Sequence, residues 1–329
     1  MDADGHSPLG TSVLVRSAMA MPPRMKTRNP LSPRGFDERF ETMKLVRFTH
    51  DGRTRIGKIV DNRVIDLDNA VAGVGDSMRL LLAQLDEARV SIEAGGGPAY
   101  ALDDVVLEAP IADPRKFLAI GMNYQAHADE AAAAGVPVPT TQLWFNKQVS
   151  CISGPFADID IPKSAPDMVD YEAELGVVIG KRCRHVSREE ARSVIAGYLV
   201  CNDVTARDWQ FRSPTYTLGK SFDTHGPIGP WIVTDDEIDD PHALTLRLEL
   251  NGEERQRSST SDMIYDIYDQ IAYLTQVMTL EPGDLIATGT PAGVGIAGNR
   301  FMKEGDVVRV TVDGIGAIEN RFVDEASCR

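Results

Sequence analysis

The order of apolar and polar positions predicts that regular structure begins at Met43. The segments MKLVRF, TRIGKIV and NRVIDLD have the composition of three short β-strands. Gly95–Gly97 has the character of a linker, and before it the segment SMRLLLAQLDEARVSIEA has apolar residues at helical spacing. This apolar stripe consists of Met78, Leu81, Leu82, Leu85 and Val90. Together these elements predict a small α+β domain over residues 43–105.

Beyond this domain the pattern predicts many strands and few long helices. The dipeptides Asn-Gly at 251 and Asp-Gly at 313 each separate two strand-like runs, and both favour the type I′ turn of a β-hairpin. One long helix is predicted from Ile264 to Leu280, where apolar residues recur at helical spacing. Strands and helices do not alternate repeatedly, which argues against a doubly wound parallel sheet and favours an α+β arrangement.

The first 42 residues differ in composition from the rest of the chain. They are rich in Pro, Arg, Met and Ser and show no apolar periodicity, which predicts a disordered extension over residues 1–42. The start lacks the basic-then-apolar order of a secretory signal, and no apolar run approaches the roughly 20 residues of a transmembrane helix. The four cysteines form no CxxC pair and no zinc-like cluster. We therefore expect a cytoplasmic protein with no membrane partner.

Charge narrows the range of partners. The chain has 49 acidic and 34 basic residues, a formal net charge of −15. A broad nucleic-acid surface needs a surplus of Lys and Arg, so no nucleic-acid partner is expected. A small anionic substrate remains compatible with this charge, because a few basic side chains are enough to set a local field.

The segment DYEAELGVVIG carries the first indication of chemistry. Glu172 and Glu174 are two positions apart at the start of a buried strand, so their carboxylates project from the same face. Such neighbours repel, and a divalent cation would neutralise them; two solvated glutamates are the alternative. Asp203, which follows the apolar run AGYLVC, favours the cation. Three carboxylates without His or Cys select Mg²⁺ or Mn²⁺ before Zn²⁺ and leave coordination positions for water and substrate.

Five segments, taken in order, resemble the fumarylacetoacetate hydrolase superfamily. They are KFLAIGMNYQAHADE, DYEAELGVVIG, CNDVTARDWQ, LGKSFDTHGPIGPW and GDLIATGTPAGVG, and the resemblance extends from Arg115 to Phe322. It implies a catalytic domain over residues 106–329 with a mixed β-roll and flanking helices, and a homodimer. The activities of the family include C–C hydrolysis of acylpyruvates, decarboxylation of 2-oxo acids, hydration and ureidoglycolate cleavage.

The resemblance also implies roles for the carboxylates. Glu172, Glu174 and Asp203 are the expected metal ligands, in agreement with the strand pattern. Some members of the family add an upstream aspartate ligand, but this chain has Asn123 in that neighbourhood, so no fourth carboxylate is expected. The three-carboxylate pattern is similar to that of acylpyruvase-like and ureidoglycolate-lyase-like members.

His127 and Glu130 form an HxxE pair in an Ala-rich segment with good helix propensity. At this spacing they share one helix face, so Glu130 can orient the imidazole and raise its basicity; an ordinary exposed ion pair is the alternative. In the family this segment resembles a lid that brings a His–Glu dyad to a water on the metal side. Gly121 and Gly135 flank it as candidate hinges.

Other side chains are expected to contact the substrate or its reaction intermediate. Lys220 is suited to stabilising an enolate, and Lys147 is a further candidate for the site. His225 and Trp231 are interpreted as packing residues. Through their place in these family-like segments, the resemblance implies substrate contacts by Arg207, Gln210, Thr290 and Tyr124. Taken singly, such residues more often have surface or structural roles.

Together with these residues, the resemblance implies a metal-dependent hydrolase that cleaves a C–C bond in a small 2-oxo or 1,3-dicarbonyl acid. In this hypothesis His127 and Glu130 activate the attacking water. A 2-oxo acid decarboxylase or a ureidoglycolate-type lyase on the same site remains open. A catalytically inactive metal-binding protein is the non-enzymatic alternative, and the presence of the dyad and Lys220 argues against it.

Overall fold

The computed structural model describes residues 43–68 and 70–326. The disordered extension predicted for residues 1–42 and the fourth cysteine, Cys328, lie outside the described residues. None of the helices within the described ranges is long and apolar enough to cross a membrane.

The described chain consists mainly of strands, with short helices between them. The strands are β1 (Lys44–His50), β2 (Arg53–Val60), β3 (Arg63–Asp66), β4 (Ala99–Ala101), β5 (Val106–Glu108), β6 (Phe117–Gly121), β7 (Leu143–Lys147), β8 (Ile152–Ser153), β9 (Ile159–Ile161), β10 (Val169–Asp170), β11 (Ala173–Ile179), β12 (Ile195–Asn202), β13 (Thr205–Ala206), β14 (Gly226–Thr234), β15 (Thr245–Leu250), β16 (Glu253–Ser259), β17 (Leu285–Ala287), β18 (Val307–Val312) and β19 (Gly316–Asp324). The α-helices are α1 (Met78–Leu82), α2 (Leu85–Ala94), α3 (Gln125–Ala133), α4 (Arg207–Gln210) and α5 (Ile267–Val277). Short 3₁₀-helices span Leu102–Asp104, Val149–Cys151, Ala191–Val194, Asp235–Glu237, Thr260–Asp262 and Gly295–Gly298.

Two sheets form the framework. The larger one has the order β4-β3-β2-β1-β14-β12-β11-β17-β6-β7, with β5 beside β1 and β8 beside β14. The smaller one has the order β16-β15-β18-β19-β9. Most ladders are antiparallel, while β17 pairs with β6, β14 with β8 and β19 with β9 in parallel. This mixed arrangement of strands with few helices confirms the predicted α+β class.

The central strand β11 separates two hydrophobic cores. All seven of its residues are buried, and successive side chains of a strand point to opposite faces. Val177 therefore belongs to the core that includes Leu248 and Val310 of the smaller sheet, whereas Val178 belongs to the other core, which includes Leu81 of α1. Each such side chain contributes about 1.5–3 kcal/mol of hydrophobic stabilisation, which makes the β11 region a rigid base for the site.

The N-terminal strands extend the larger sheet. β1 pairs antiparallel with β14 through Lys44 opposite Val233 and Leu45 opposite Ile232. Residues 43–105 therefore share a continuous sheet with the rest of the chain. The proposed domain boundary after residue 105 stays a prediction.

Both long helices are shorter than the apolar pattern indicates. The segment predicted as one helix is interrupted at Gln84, whose backbone is not helical (φ −124°, ψ 15°). The interruption changes the phase of the buried face, so Ile92 is buried and Val90 is 76% exposed. The predicted assignment of Val90 to the buried stripe was wrong for this reason. The helix predicted from Ile264 begins instead at Ile267.

The start of α5 is set by a side chain that the apolar pattern does not include. The carboxylate of Asp266 accepts hydrogen bonds from the backbone N–H groups of Tyr268 and Asp269, both at 2.9 Å. This cap satisfies two N–H groups that lack partners inside the helix.

Both predicted hairpins are present, with β15 pairing with β16 and β18 with β19. Asn251 and Gly252 both have positive φ, as a type I′ turn requires. Asp313 does not, and three residues connect Val312 to its partner Gly316, so the prediction of a type I′ turn was wrong for the second hairpin.

The two residues interpreted as packing residues are buried. Trp231 donates its indole N–H to the carbonyl of Ile315 at 2.6 Å. His225 is fully buried, and its Nε2–H donates to the carbonyl of Asp160 at 2.9 Å. Burial lowers the pKa of His225 to about 3, because the interior disfavours the imidazolium. His225 is therefore a neutral donor at pH 7.

We expect His225→Gln to reduce the loss of stability on acidification. Because the folded pKa of His225 is about 3 and the unfolded value is 6.5, the unfolded chain binds a proton that the folded protein does not bind. The stability that is present above pH 6.5 therefore falls as the pH decreases toward 3. One such histidine contributes a slope of up to about 1.4 kcal/mol per pH unit, and glutamine removes it.

Urea unfolding at pH 7, 6 and 5 measures this slope. The exposed residue His185 has a left-handed backbone (φ 54°), which asparagine tolerates, so His185→Asn is the matched control. We expect this control to keep the wild-type slope. An identical slope in His225→Gln and wild type would show that His225 is not held in its neutral form.

Candidate metal centre and active site

The three predicted carboxylates meet at one end of the β11–β12 pair. Glu172 directly precedes β11, Glu174 is its second residue, and Asp203 directly follows β12. The two strands are antiparallel, and the N–H of Asp203 donates to the carbonyl of Glu172 at 2.9 Å. One carboxylate oxygen of each residue lies within 4.8 Å of the others, and all three residues are buried. Two carboxylates at the start of β11 and one at the end of the neighbouring strand β12 thus form a compact cluster.

Three cationic side chains border this cluster. Lys220 Nζ lies 2.7 Å from Glu172 Oε2 and 2.7 Å from Asp203 Oδ2. Lys147 Nζ lies 2.6 Å from Asp203 Oδ1 and also donates to the carbonyl of Lys220. Arg207 Nη2 lies 2.8 Å from Glu172 Oε1. A buried charge without a partner is strongly destabilising, so these ion pairs offset part of the cost of burying the carboxylates.

Among the residues that the structure describes, no cationic side chain contacts Glu174 directly, unlike the other two carboxylates of the cluster. Its Oε2 accepts the backbone N–H of Gly289 at 2.9 Å. Burial, followed by the negative charges of Asp203 and Glu172, raises the pKa of Glu174 well above its usual range. Burial alone would also raise the pKa of Asp203, but Lys147 and Lys220 lower it below the usual value. Of the three carboxylates, Glu174 is therefore the one whose negative charge an additional cation would stabilise most.

A hard divalent cation fits this set of residues. The cluster offers three carboxylates and contains no His or Cys, which is the preference of Mg²⁺ and Mn²⁺. The ligands are held by a strand pair that is buried on both sides, so their separation is set by the backbone. A cation held by three carboxylates would keep open positions for other oxygen ligands.

The HxxE pair lies on α3. His127 Nδ1 donates to Glu130 Oε2 at 3.2 Å, which leaves Nε2 as the ring nitrogen that accepts a proton. Glu130 Oε1 accepts the backbone N–H of Gly293 at 3.2 Å. Gly135, just beyond the helix, has a positive φ of 79° that suits a chain reversal. The glutamate therefore holds the imidazole with one oxygen and the glycine-rich loop with the other.

Comparison with known proteins assigns the chain to a family. The model of the fumarylacetoacetate (FAA) hydrolase C-terminal domain matches residues 116–323. The chain belongs to the fumarylacetoacetate hydrolase family. This confirms the resemblance inferred from the five segments.

Three relatives of this family member are informative. A Burkholderia lata protein named "Putative hydrolase" is 41% identical over 288 residues, covering 83% of this chain and 96% of the relative. The structure of maleylpyruvate hydrolase from Sphingobium sp. SYK-6, in complex with manganese(II) and pyruvate, is 33% identical with a TM-score of 0.73 and covers 86% of this chain and 100% of that one. The structure of 5-carboxymethyl-2-hydroxymuconate delta-isomerase from Mycobacterium smegmatis is 36% identical with a TM-score of 0.70 and covers 87% of this chain and 100% of that one.

In this fumarylacetoacetate hydrolase family member, α4 carries two predicted substrate ligands, Arg207 and Gln210, both buried, and Arg207 contacts the carboxylates. Besides Glu172, Arg207 contacts Asp170 at 2.8 Å, and its Nη1 donates to Gln210 Oε1 at 3.0 Å. The guanidinium thus already bridges two carboxylates. Arg207 therefore also pairs with Glu172, a candidate metal ligand, and the sequence did not indicate this role.

Thr290 and Tyr124, two further predicted substrate ligands, are both buried. Thr290 Oγ1 accepts a hydrogen bond from Gln256 Nε2 at 2.9 Å. The hydroxyl of Tyr124 has no hydrogen-bond partner among the described residues. Burial, and then the charge of Glu174, raises the pKa of Tyr124, so it stays protonated and can donate a hydrogen bond.

Asn123 does not present its amide as a metal ligand. Its Nδ2 donates to the carbonyls of Tyr265 and Thr288, at 3.0 and 2.8 Å, and its Oδ1 accepts the N–H of Tyr265 at 2.9 Å. These bonds tie the start of α3 to two neighbouring loops. The expectation of three carboxylates agrees with this geometry.

The structure also brings in Asp170, which sequence reasoning missed. Its carboxylate accepts the N–H groups of Gly295 and Ile296 at 2.7 and 3.0 Å and binds Arg207. It lies two positions before Glu172, so the same two-residue periodicity that selected Glu172 and Glu174 was an available signal. Gln256, by contrast, lies in no recognisable motif.

Proposed function

We propose that this protein is a divalent-metal-dependent hydrolase that cleaves a C–C bond in a small, anionic, acylpyruvate-like 2-oxo acid. One observation supports it above the others. The loop that follows β17 binds Glu174 through the N–H of Gly289 and Glu130 through the N–H of Gly293. The three-carboxylate cluster and the His–Glu dyad are therefore attached to the same short loop, as a single active site requires.

In the proposed reaction the cation and the side chains of the protein have different roles. A divalent cation held by Glu172, Glu174 and Asp203 would supply a Lewis acid for the oxygens of the 2-oxo acid. His127 Nε2 accepts a proton from a water that attacks the distal carbonyl carbon, and Glu130 stabilises the imidazolium that results.

Completion of the reaction needs charge stabilisation and return of the proton. The bond between the distal carbonyl carbon and the neighbouring CH₂ breaks, and its electron pair forms the enolate of pyruvate. Lys220 Nζ has three hydrogens, two of which point to Glu172 and Asp203, so the third is available to the enolate. The proton on His127 returns to the CH₂ carbon, which gives pyruvate and a second carboxylic acid.

The named relatives support this assignment. The Sphingobium relative with manganese(II) and pyruvate is a maleylpyruvate hydrolase, and pyruvate is the product that the proposed reaction releases. Mg²⁺ and Mn²⁺ are both suited to the ligands. A decarboxylase or a ureidoglycolate-type lyase would use the same carboxylates, and the expected homodimer and cytoplasmic location remain predictions.

Isomerisation of an unsaturated hydroxy acid is a second candidate function. The similar Mycobacterium smegmatis protein is named as a delta-isomerase. An isomerase moves a proton within the substrate and needs no attacking water, so the dyad would act as a proton shuttle. The hydrolase is favoured because the imidazole is held by its carboxylate in the arrangement of a general base.

We expect the purified protein to consume acetylpyruvate or fumarylpyruvate with Mg²⁺ or Mn²⁺ and to lose this activity in EDTA. Loss of enol absorbance follows the substrate, and coupling to lactate dehydrogenase follows released pyruvate. Loss of the substrate and release of pyruvate occur together only for hydrolysis. Absorbance change on a hydroxymuconate without pyruvate indicates the isomerase, and CO₂ release from oxaloacetate indicates the decarboxylase. Metal-loaded protein inactive on all of these acids would overturn the enzymatic proposal.

A further inference from the structure

Gln256 lies where the smaller sheet meets the metal-binding strand. Its side chain is 1% exposed and belongs to β16. The ladder pairs Leu248 with Gln256 and then Glu249 with Glu254, so Arg255 is an extra residue in β16, a β-bulge. Bulges change the direction of neighbouring side chains and are common beside active sites.

Both polar atoms of the Gln256 amide, Oε1 and Nε2, make hydrogen bonds. Oε1 accepts the N–H of Ala173 at 2.9 Å, and Nε2 donates to Thr290 Oγ1 at 2.9 Å and to the carbonyl of Pro291 at 2.8 Å. Ala173 is the residue between Glu172 and Glu174. One side chain therefore connects the metal strand to the loop that carries Thr290.

The chemistry of these partners decides which end of the amide faces which group. The Ala173 backbone offers only a donor, and the Pro291 carbonyl offers only an acceptor. The reversed amide would place N–H against N–H and C=O against C=O, which are both repulsive. Nε2 must therefore face Thr290, and the Thr290 oxygen must accept.

This orientation determines what the Thr290 hydroxyl can do. A hydroxyl has one hydrogen, and accepting a bond from a fixed amide directs that hydrogen toward another acceptor. Thr290 is buried and directly follows Gly289, which binds Glu174. The hydrogen is thus available beside the metal ligands, where the carboxylate of a 2-oxo acid would lie.

The loop that carries Thr290 also packs closely against the bulge. Gly293 has φ 101°, and a Cβ placed there would lie 2.2 Å from the carbonyl oxygen of Arg255. Only glycine allows this approach. The bulge and the loop therefore fit together as one unit, with Gln256 and Thr290 at its centre.

We propose that Gln256 is a positioning residue that holds the Thr290 hydroxyl as a hydrogen-bond donor toward the carboxylate of the substrate. This inference rests on the proposed function, which supplies a carboxylate ligand at the metal centre. Gln256 acts through Thr290 and does not itself contact the substrate.

The test measures the affinity of oxalate for the Mn²⁺-loaded protein by titration calorimetry. In Gln256→Glu a carboxylate oxygen faces Thr290 and takes its hydrogen, so we expect oxalate affinity to fall about 10- to 100-fold. Thr290→Val, which removes the hydroxyl, should show a loss of the same order, and Thr290→Ser should stay within about threefold of wild type. Mn²⁺ binding, followed separately by electron paramagnetic resonance, should change little in Thr290→Val.

A double-mutant cycle separates positioning from a general structural effect. If Gln256 acts through Thr290, then Gln256→Glu causes at most about a threefold further loss in the Thr290→Val background. Should the glutamate variant fail to fold, the neutral Gln256→Met enters the same cycle, with an expected loss of about three- to tenfold. Glu254→Gln, at an exposed position of the same strand, is the matched control and should bind oxalate as the wild type does.

The outcomes are distinguishable. Full additivity of the Gln256 and Thr290 substitutions, or wild-type affinity in both Gln256 variants, overturns the positioning role and leaves the proposed function standing. Wild-type protein that binds Mn²⁺ but no oxalate overturns the carboxylate-binding site itself, and with it both proposals.

Discussion

Glu174→Gln should weaken Mn²⁺ binding by at least about 100-fold and abolish turnover. Loss of a partner that only supports a metal ligand already costs 10- to 100-fold in affinity, and Glu174 is a proposed ligand itself. The amide keeps the shape of the side chain and can still accept the N–H of Gly289. Titration calorimetry with Mn²⁺ and the acylpyruvate assay measure both effects.

Stability measurements separate this effect from misfolding. Because burial and two neighbouring acids raise the pKa of Glu174, the charged form is unfavourable in the metal-free folded protein. The stability that Glu174 contributes is present below its unfolded pKa and is lost as the pH rises through the folded pKa, and glutamine removes this loss. We therefore expect metal-free Glu174→Gln to melt no lower than metal-free wild type at pH 7.5.

Mn²⁺ should raise the melting temperature of wild type, because an ion that binds the folded state stabilises it. It should leave the melting temperature of Glu174→Gln unchanged, because this variant does not bind the ion. Glu189→Gln, at an exposed position, is the matched control and should respond to Mn²⁺ as wild type does. Normal Mn²⁺ affinity in Glu174→Gln would show that the cation binds elsewhere.

His127→Ala should lower kcat for acylpyruvate hydrolysis by about 10²- to 10⁴-fold, the usual contribution of a general base. The ring is held on α3 by Glu130 and is not one of the proposed ligands of the cation, so Mn²⁺ affinity should stay within about threefold of wild type. Steady-state kinetics with saturating Mn²⁺ give kcat and KM separately. A fall in kcat with a nearly constant KM is the expected pattern.

The same helix provides the control for this prediction. Asp129 is exposed and accepts a hydrogen bond from Gln125 at 2.8 Å, so Asp129→Asn changes the charge of α3 without touching the dyad. It should retain wild-type kcat. Wild-type hydrolysis in His127→Ala would rule out the imidazole as the base. Retained decarboxylation of oxaloacetate with lost hydrolysis would show that the dyad serves only the water-dependent reaction.

Local patterns predicted the elements that depend on nearby residues. The two hairpins follow from Asn-Gly and Asp-Gly, whose conformational preferences act over four residues. The shared face of Glu172 and Glu174 follows from the two-residue period of a strand. The break at Gln84 and the late start of α5 were missed, because an apolar stripe does not show where a backbone leaves the helix.

The residues of the candidate site also fall into those that a local sequence pattern reveals and those that it does not. The carboxylates and the HxxE pair stand out along the chain because each is a short pattern with a chemical meaning. Asp170 was within reach of the same two-residue period. Gln256 was not, because its importance lies in partners 83 and 34 positions away in the chain.

The sequence by itself determined the α+β class, the family, the three carboxylates and the dyad, since these depend on local periodicity and on ordered motifs. Only the tertiary structure showed that Lys147, Lys220 and Arg207 pair with two of those carboxylates, and that no cationic side chain of the described residues contacts Glu174 directly. Only it showed that one loop joins Glu174 to Glu130 across separations of 115 and 163 residues. The reason is physical: the charge balance and hydrogen bonding of a buried group depend on whichever groups the fold packs around it, at any distance along the chain.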